Sequence, residues 1–275
     1  MIRLGTVAAI GFEDFEPAEW LDCYRQLGCE VVQAYRNHRA QVTVAEMRDV
    51  IAAGGLPCDS LHGIFGEEFD PSNPDEVGRR FAVDTYKAEA DVCNAIGGNL
   101  VVVHCSTIRA QGVGDDEKRA RFAQLHKSIA DLGAHGAAQG VTYAFENLPG
   151  YHAIGFDVGE LAAAIKDVGA PHTGMCFDSG HANMTGDPVA AIHATAGTMV
   201  YCHVSDNSGD ADEHEMITYA GIDADGMSRA LHAIGYDGTY MLEVFYPVER
   251  LRQLIAEGAA DRLARIIRLA NGREE

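Results

Sequence analysis

Asn99-Leu100-Val101-Val102-Val103-His104-Cys105, a segment of helical spacing over 115–139, Gly140, and then Val141-Thr142-Tyr143-Ala144-Phe145-Glu146-Asn147 form the stretch that decides the fold. The two short runs are apolar and β-branched, as strands buried on both faces are. The segment between them has the length of a helix, and Gly140 stands where that helix must stop. A strand, a crossover helix and a second strand make a parallel unit.

Working outward, the same unit recurs along the chain. Strand-like runs lie at 2–8, 29–35, 57–62, 99–105, 141–147, 173–179, 199–205 and 239–245. Helical segments are expected at 17–27, 43–53, 74–96, 115–139, 157–168, 187–196, 223–234 and 247–270. Asp157 and Asp223 suit N-caps, and Gly28, Gly97-Gly98 and Gly235 suit helix stops. Eight such units in 275 residues predict a single (β/α)8 barrel spanning 1–275. No G-x-G-x-x-G follows the first strand, which argues against an open dinucleotide-binding sheet. The longer excursions follow strands three, four, five and seven, on the side where barrels keep their sites.

The net charge is -20, with 41 acidic residues against 21 basic ones. No cluster of Lys and Arg offsets it, so nucleic acid and anionic membranes are not expected as partners. No stretch approaches a membrane span. The start, Met1 to Gly5 and then Glu13, Asp14 and Glu16, does not read as a secretory leader. Seven scattered cysteines without a C-x-x-C suit a reducing cytoplasm. A homo-oligomer remains open.

The strand exits carry the chemistry. His62 ends the third run, His104 the fourth, Glu146 the fifth and Asp178 the sixth, with His181 just beyond. His203 lies near the end of the seventh, with Asp212 and His214 in its loop, and Glu243 lies in the eighth. In a closed barrel these ends converge. Converging carboxylates repel one another, and a divalent cation removes that conflict. Glu146, Asp178, His203 and Glu243 are therefore the expected metal site. The oxygen-rich set suits Mn2+, Mg2+ or Co2+, with Zn2+ possible. His62, His104, His181, Asp212 and His214 are expected to bind substrate or orient the ligands; a second metal is the alternative. Arg36, Arg39 and Arg109 are the basic residues placed near the rim, and Phe65, Tyr151, Phe156 and Phe245 are candidates for an apolar wall.

The segments Ala144-Phe145-Glu146-Asn147, Cys176-Phe177-Asp178-Ser179-Gly180-His181-Ala182-Asn183, His203-Val204-Ser205-Asp206-Asn207 and Leu242-Glu243-Val244 resemble the xylose isomerase-like barrel superfamily. The resemblance covers nearly the whole chain and extends to ketose 3-epimerases. It implies that Glu146 and Glu243 bind the metal and also exchange the substrate proton. It further implies that Asp178 and His203 complete the metal shell and that His181 contacts substrate. The expected activity is metal-dependent isomerisation or epimerisation of a small carbohydrate through an enediolate, with no phosphate required. Dehydratases of the inosose and 3-dehydroshikimate type share this one-metal site. The nine strand-end and loop residues also follow the order of the zinc ligands of endonuclease IV, a three-zinc DNA repair enzyme. The charge balance argues against that last reading.

Overall fold

The computed structural model describes residues 1–12 and 17–273. Glu13, Asp14 and Glu16, on which the acidic reading of the start rests, lie outside them. Eight parallel strands close into a barrel in sequence order: β1 (Arg3–Ile10), β2 (Val31–Arg36), β3 (Cys58–His62), β4 (Leu100–His104), β5 (Thr142–Glu146), β6 (Thr173–Asp178), β7 (Met199–Val204) and β8 (Thr239–Leu242). The last strand pairs with the first, Gly5 lying opposite Met241.

The helices fall where spacing predicts them, in two cases with a difference. In chain order they are α1 (Pro17–Gln26), α2 (Val44–Gly54), α3 (Glu76–Ala95), α4 (Asp115–Gln139), α5 (Val158–Val168), α6 (Ser179–Asn183), α7 (Pro188–Ala194), α8 (Ala224–Ala233), α9 (Val248–Ala256) and α10 (Ala259–Ala270). Asp157 and Asp223 do cap α5 and α8, accepting from the amides of Glu160 and Gly226. The single helix expected over 247–270 is two, because Gly258 between α9 and α10 adopts φ 80°. Apolar spacing runs through that left-handed residue unbroken, so periodicity alone conceals the turn. The short α6 was not expected. It begins directly at Asp178, whose side chain accepts from the amide of His181.

Side-chain parity explains where the site lies. Strand side chains alternate between two faces. Val31, Leu100, Val102, Ala144, Cys176, Tyr201 and Met241 form a cluster separate from the main core, and it plugs the barrel. Intervening residues such as Val101, Val103, Phe145 and Phe177 pack into the larger core beneath the helices. Two positions beyond a plug residue brings the chain to Gln33, His104, Glu146, Asp178, His203 and Glu243. The polar set is therefore the next inward layer above the plug, at the C-terminal rim. All seven cysteines are buried and free. Among the described residues, no helix is long and apolar enough to cross a membrane.

Candidate metal and substrate site

His203 is the centre of the layer. Its Nδ1 lies 2.8 Å from Glu146 Oε1 and 3.2 Å from Glu243 Oε2. Asp178 joins them: one ligand atom from each of Glu146, Asp178, His203 and Glu243 falls within 4.8 Å of every other. All four residues are buried.

The local structure that holds them is specific. Asp178 uses Oδ1 to cap α6, accepting from the His181 amide at 2.6 Å. Asn147 ties β5 to β6 twice, donating to Asp178 O at 3.0 Å and accepting from Asp178 N at 2.8 Å. Gly180 packs against the β7 exit, where a Cβ would meet Ser205 Oγ at 2.6 Å. Asp206, fully buried, shapes the loop that follows. Its carboxylate accepts from the amides of Thr218, Ala220, Gly221 and Ile222 at 2.9–3.1 Å. His214 and Thr218 in that loop hold φ of 50° and 80°, left-handed conformations that need such support.

The remaining candidates ring the quartet. His104 Nε2 and His62 Nε2 lie 3.3 Å and 3.7 Å from Glu146 Oε2. Asp212 Oδ2 stands 3.3 Å from both His181 Nε2 and His214 Nε2. Three of these imidazoles are fixed from behind by a backbone carbonyl. His62 Nδ1 donates to Gly63 O, His181 Nδ1 to Asn147 O and His214 Nδ1 to Glu243 O. All nine candidates thus converge. Seven of them, all but Asp178 and His203, line a cavity of about 350 Å3 with Tyr35, Phe65, Thr107, Arg109, Tyr151 and His152.

Other expectations move. Arg36 is not a rim handle, because it is paired with buried Glu89. Arg39 is exposed and outside the cavity. Arg109 lines it, its guanidinium stacked 3.9 Å from the Tyr151 ring centroid. Phe65 stacks on His104 and Phe245 meets the His214 ring edge-on. Phe156 instead lines a groove of about 760 Å3 beside α4 and α5.

Electrostatics fit a cation. Burial pushes Asp178 up to about 7, with Glu146 and Glu243 adding to it and His181 opposing. Burial also favours the neutral form of Glu146, but His203 and His104 outweigh it and hold the carboxyl well below the usual range. Burial disfavours charge on His203, but neighbouring Cys176 and then the Glu243 and Glu146 carboxylates outweigh it and raise its pKa. His62, dominated by burial, falls to about 4. Glu146 Oε2, Asp178 Oδ2 and Asp212 Oδ1 are buried without a hydrogen-bond partner. Buried carboxylate oxygens without a partner are costly in protein alone, and a cation held by the quartet would satisfy those of Glu146 and Asp178. Three carboxylates and an imidazole suit a hard or borderline divalent cation.

A sequence profile described as xylose isomerase-like TIM barrel matches residues 4–268, and the chain belongs to that family. An uncharacterized protein of Methanocaldococcus jannaschii is 24% identical over 187 residues, 66% of this chain and 63% of its own length. The chain thus matches somewhat under two thirds of that relative. Among solved structures, a D-psicose 3-epimerase crystallised with D-fructose superposes with TM-score 0.77 at 15% identity, covering 98% of this chain and 100% of its own. An L-ribulose 3-epimerase gives 0.75 at 20% identity, covering 97% and 98%. At these identities the likeness is one of fold.

Sequence reasoning missed Gln33, Asn147 and Tyr35. Gln33 had a legible signal: an amide inside the apolar run Cys29-Glu30-Val31-Val32-Gln33-Ala34-Tyr35. Asn147 sat within a quoted motif, but its double bond to β6 appears only in three dimensions. Tyr35 lines the cavity with its ring 4.7 Å from that of His62.

Proposed function

We propose that the protein is a divalent-metal-dependent isomerase or epimerase of a ketose or related polyol-ketone, working by proton transfer through an enediolate. The observation that carries this is the pair Glu146 and Glu243, whose carboxylates approach the same His203 nitrogen from β5 and from the exit of β8. Glu146, Asp178, His203 and Glu243 would hold the ion. A divalent ion in that quartet supplies Lewis acidity toward a carbonyl and its neighbouring hydroxyl.

The chain's own groups do the rest. One glutamate removes the proton beside the carbonyl and the other returns it. Return to the opposite face of the same carbon gives an epimer, and return to the adjacent carbon gives an isomer. Loss of a β-hydroxyl from the same enediolate is the dehydratase outcome. His181, fixed at both nitrogens, and His214 present polar edges to substrate hydroxyls beside Asp212. Phe65, packed on His104, limits water. The cavity of about 350 Å3 suits a monosaccharide and falls within the usual range of small-molecule pockets. The likeness in fold to an L-ribulose 3-epimerase and a D-psicose 3-epimerase supports the choice of substrate class.

The test is direct. Protein loaded with Mn2+ is incubated in deuterated water with a panel of ketoses and inososes and followed by proton NMR. Deuterium entering the carbon beside the carbonyl, with a new epimer or isomer, is the expected result. No exchange from any member would sink the reading.

One observation favours a second reading, metal-assisted phosphodiester hydrolysis of the endonuclease IV kind. Asp212 Oδ2 bridges His181 and His214, and His62 and His104 flank Glu146 Oε2, so two further groups of acids and imidazoles adjoin the quartet. The charge of -20 and a single arginine in the cavity lining weigh against a polyanionic substrate. Three tightly held zinc ions per chain, with incision of abasic-site DNA, would reverse the ranking.

A further inference from the structure

His203 is held the opposite way round from its neighbours. His62, His181 and His214 each donate from Nδ1 to a backbone carbonyl, whereas His203 turns Nδ1 toward the two glutamates. Its rear nitrogen, Nε2, meets a side chain instead: Gln33 Oε1 at 3.0 Å. A backbone carbonyl can only accept, but a glutamine amide can be turned either way. Something must decide which end faces the ring.

The deciding group lies at the opposite end of the barrel. Asp59 has only acceptors to offer. Ser60 Oγ donates to Asp59 Oδ1 at 2.8 Å, and Tyr201 OH donates to the same oxygen at 3.0 Å. Ser60 Oγ also contacts Tyr201 OH. However the hydroxyl protons are shared among these three, the Ser60 proton is directed away from Gln33. Ser60 Oγ can then only accept from the glutamine, and Gln33 Nε2 does donate to it at 3.3 Å. The other end of the amide, Oε1, is left facing His203. An oxygen there requires a proton on Nε2. Gln33, Ser60 and His203 are fully buried, so water is not available to relax this order.

We propose that Gln33 is a positioning residue for His203: its amide, oriented through Ser60 by Asp59, keeps the proton on Nε2 and leaves Nδ1 as the nitrogen facing Glu146 and Glu243. The polarity of the site is thereby set by a carboxylate on the far side of the plug. Cys176 is the rival partner, since its thiol groups with Glu146 and His203. A thiol is a weak acceptor and does not impose a direction.

This rests on the metal reading only where it concerns affinity, and the experiment separates the two. The imidazole nitrogens of 15N-labelled protein are observed by NMR, metal-free and loaded with Zn2+, and Zn2+ affinity is measured by chelator competition. In the parent protein a slowly exchanging Nε2 proton is expected on His203 in both states. Gln33→Met, similar in size but without the acceptor, loses that protection and weakens Zn2+ binding about 10- to 100-fold, as loss of an outer partner to a ligating histidine does. Gln33→Glu, protonated in this buried position, keeps an acceptor for His203 and a donor for Ser60, and restores both. Ser60→Ala, which frees the amide to turn, gives a loss between these two, and it reports on the same chain if Gln33→Met does not fold. Cys176→Ala leaves the Nε2 proton in place. An unchanged proton and unchanged affinity in both Gln33→Met and Ser60→Ala overturn the proposal, as does loss of the proton in Cys176→Ala alone. If the parent protein takes up no Zn2+, the metal reading fails, while the metal-free spectra still decide the role of Gln33.

Discussion

The two ends of the barrel treat their carboxylates in opposite ways. At the N-terminal end, Asp59 is surrounded by donors: Ser60, Tyr201, Thr239 and Arg3 all reach it. At the C-terminal rim, Glu146, Asp178 and Asp212 each leave an oxygen buried and unpartnered. Composition does not separate the two ends, since both contain acids, hydroxyls and aromatic rings. Satisfaction separates them. A satisfied buried carboxylate stabilises the fold, and an unsatisfied one marks a place completed by something from outside.

Breaking the rim should therefore affect chemistry first. Glu146→Gln and Glu243→Gln keep side-chain size and remove the proton acceptor. Each is expected to lower turnover about 10^2- to 10^4-fold on whichever ketose the screen identifies, with a melting curve run beside it to show that the fold is intact. Turnover within tenfold of the parent, with the ion still bound, would reduce both residues to ligands.

Asp206 sharpens the comparison, because it is a satisfied carboxylate placed at the unsatisfied end. Asp206→Asn replaces one acceptor oxygen with a donor facing amides. We expect a loss of about 3 kcal/mol in urea unfolding, consistent with stranded buried donors at about 1–3 kcal/mol each. Activity should fall with it, since the loop carries Asp212 and His214. A loss under 1 kcal/mol would place the strength of that loop elsewhere.

Filling the rim should reverse its deficit. Stripping divalent ions with a chelator and restoring Mn2+ at a hundredfold excess over Kd is expected to add about 2.7 kcal/mol of stability. Asp59→Asn should not abolish that gain, whereas Asp178→Asn should remove most of it. Equal melting curves with and without Mn2+ would contradict the cation site. The smallest effect belongs to the outer layer: Asp157→Ala removes the cap of α5 and should cost about 1 kcal/mol, leaving the NMR exchange assay unchanged.

What could be read from the chain divides along the same line. The barrel was legible because strand and helix periods differ and repeat, and because Asp157, Asp223 and Gly140 punctuate them. The rim was legible because parity carries a polar residue two steps beyond a plug residue on strand after strand. Gly258 stayed hidden because apolar spacing is blind to a single left-handed residue. Arg36 does stand at the rim end of β2, but its pairing with Glu89, 53 residues away on α3, is invisible to spacing. Gln33 was passed over because its meaning depends on Ser60 and Asp59, which no spacing rule connects to it.

The amides gathered by Asp206 have a consequence for how a ligand is received. Residues 218–222 are tied down when the chain folds, around an internal carboxylate that occupies the place an arriving anion would otherwise take. The loop that carries Asp212 and His214 into the cavity is thereby anchored before a molecule enters, so binding there orders little of it. Association on this flank is then a rigid fit. On the proposed reading, discrimination between substrates on this flank comes from hydroxyl geometry against fixed imidazoles, not from closure of this loop around the guest.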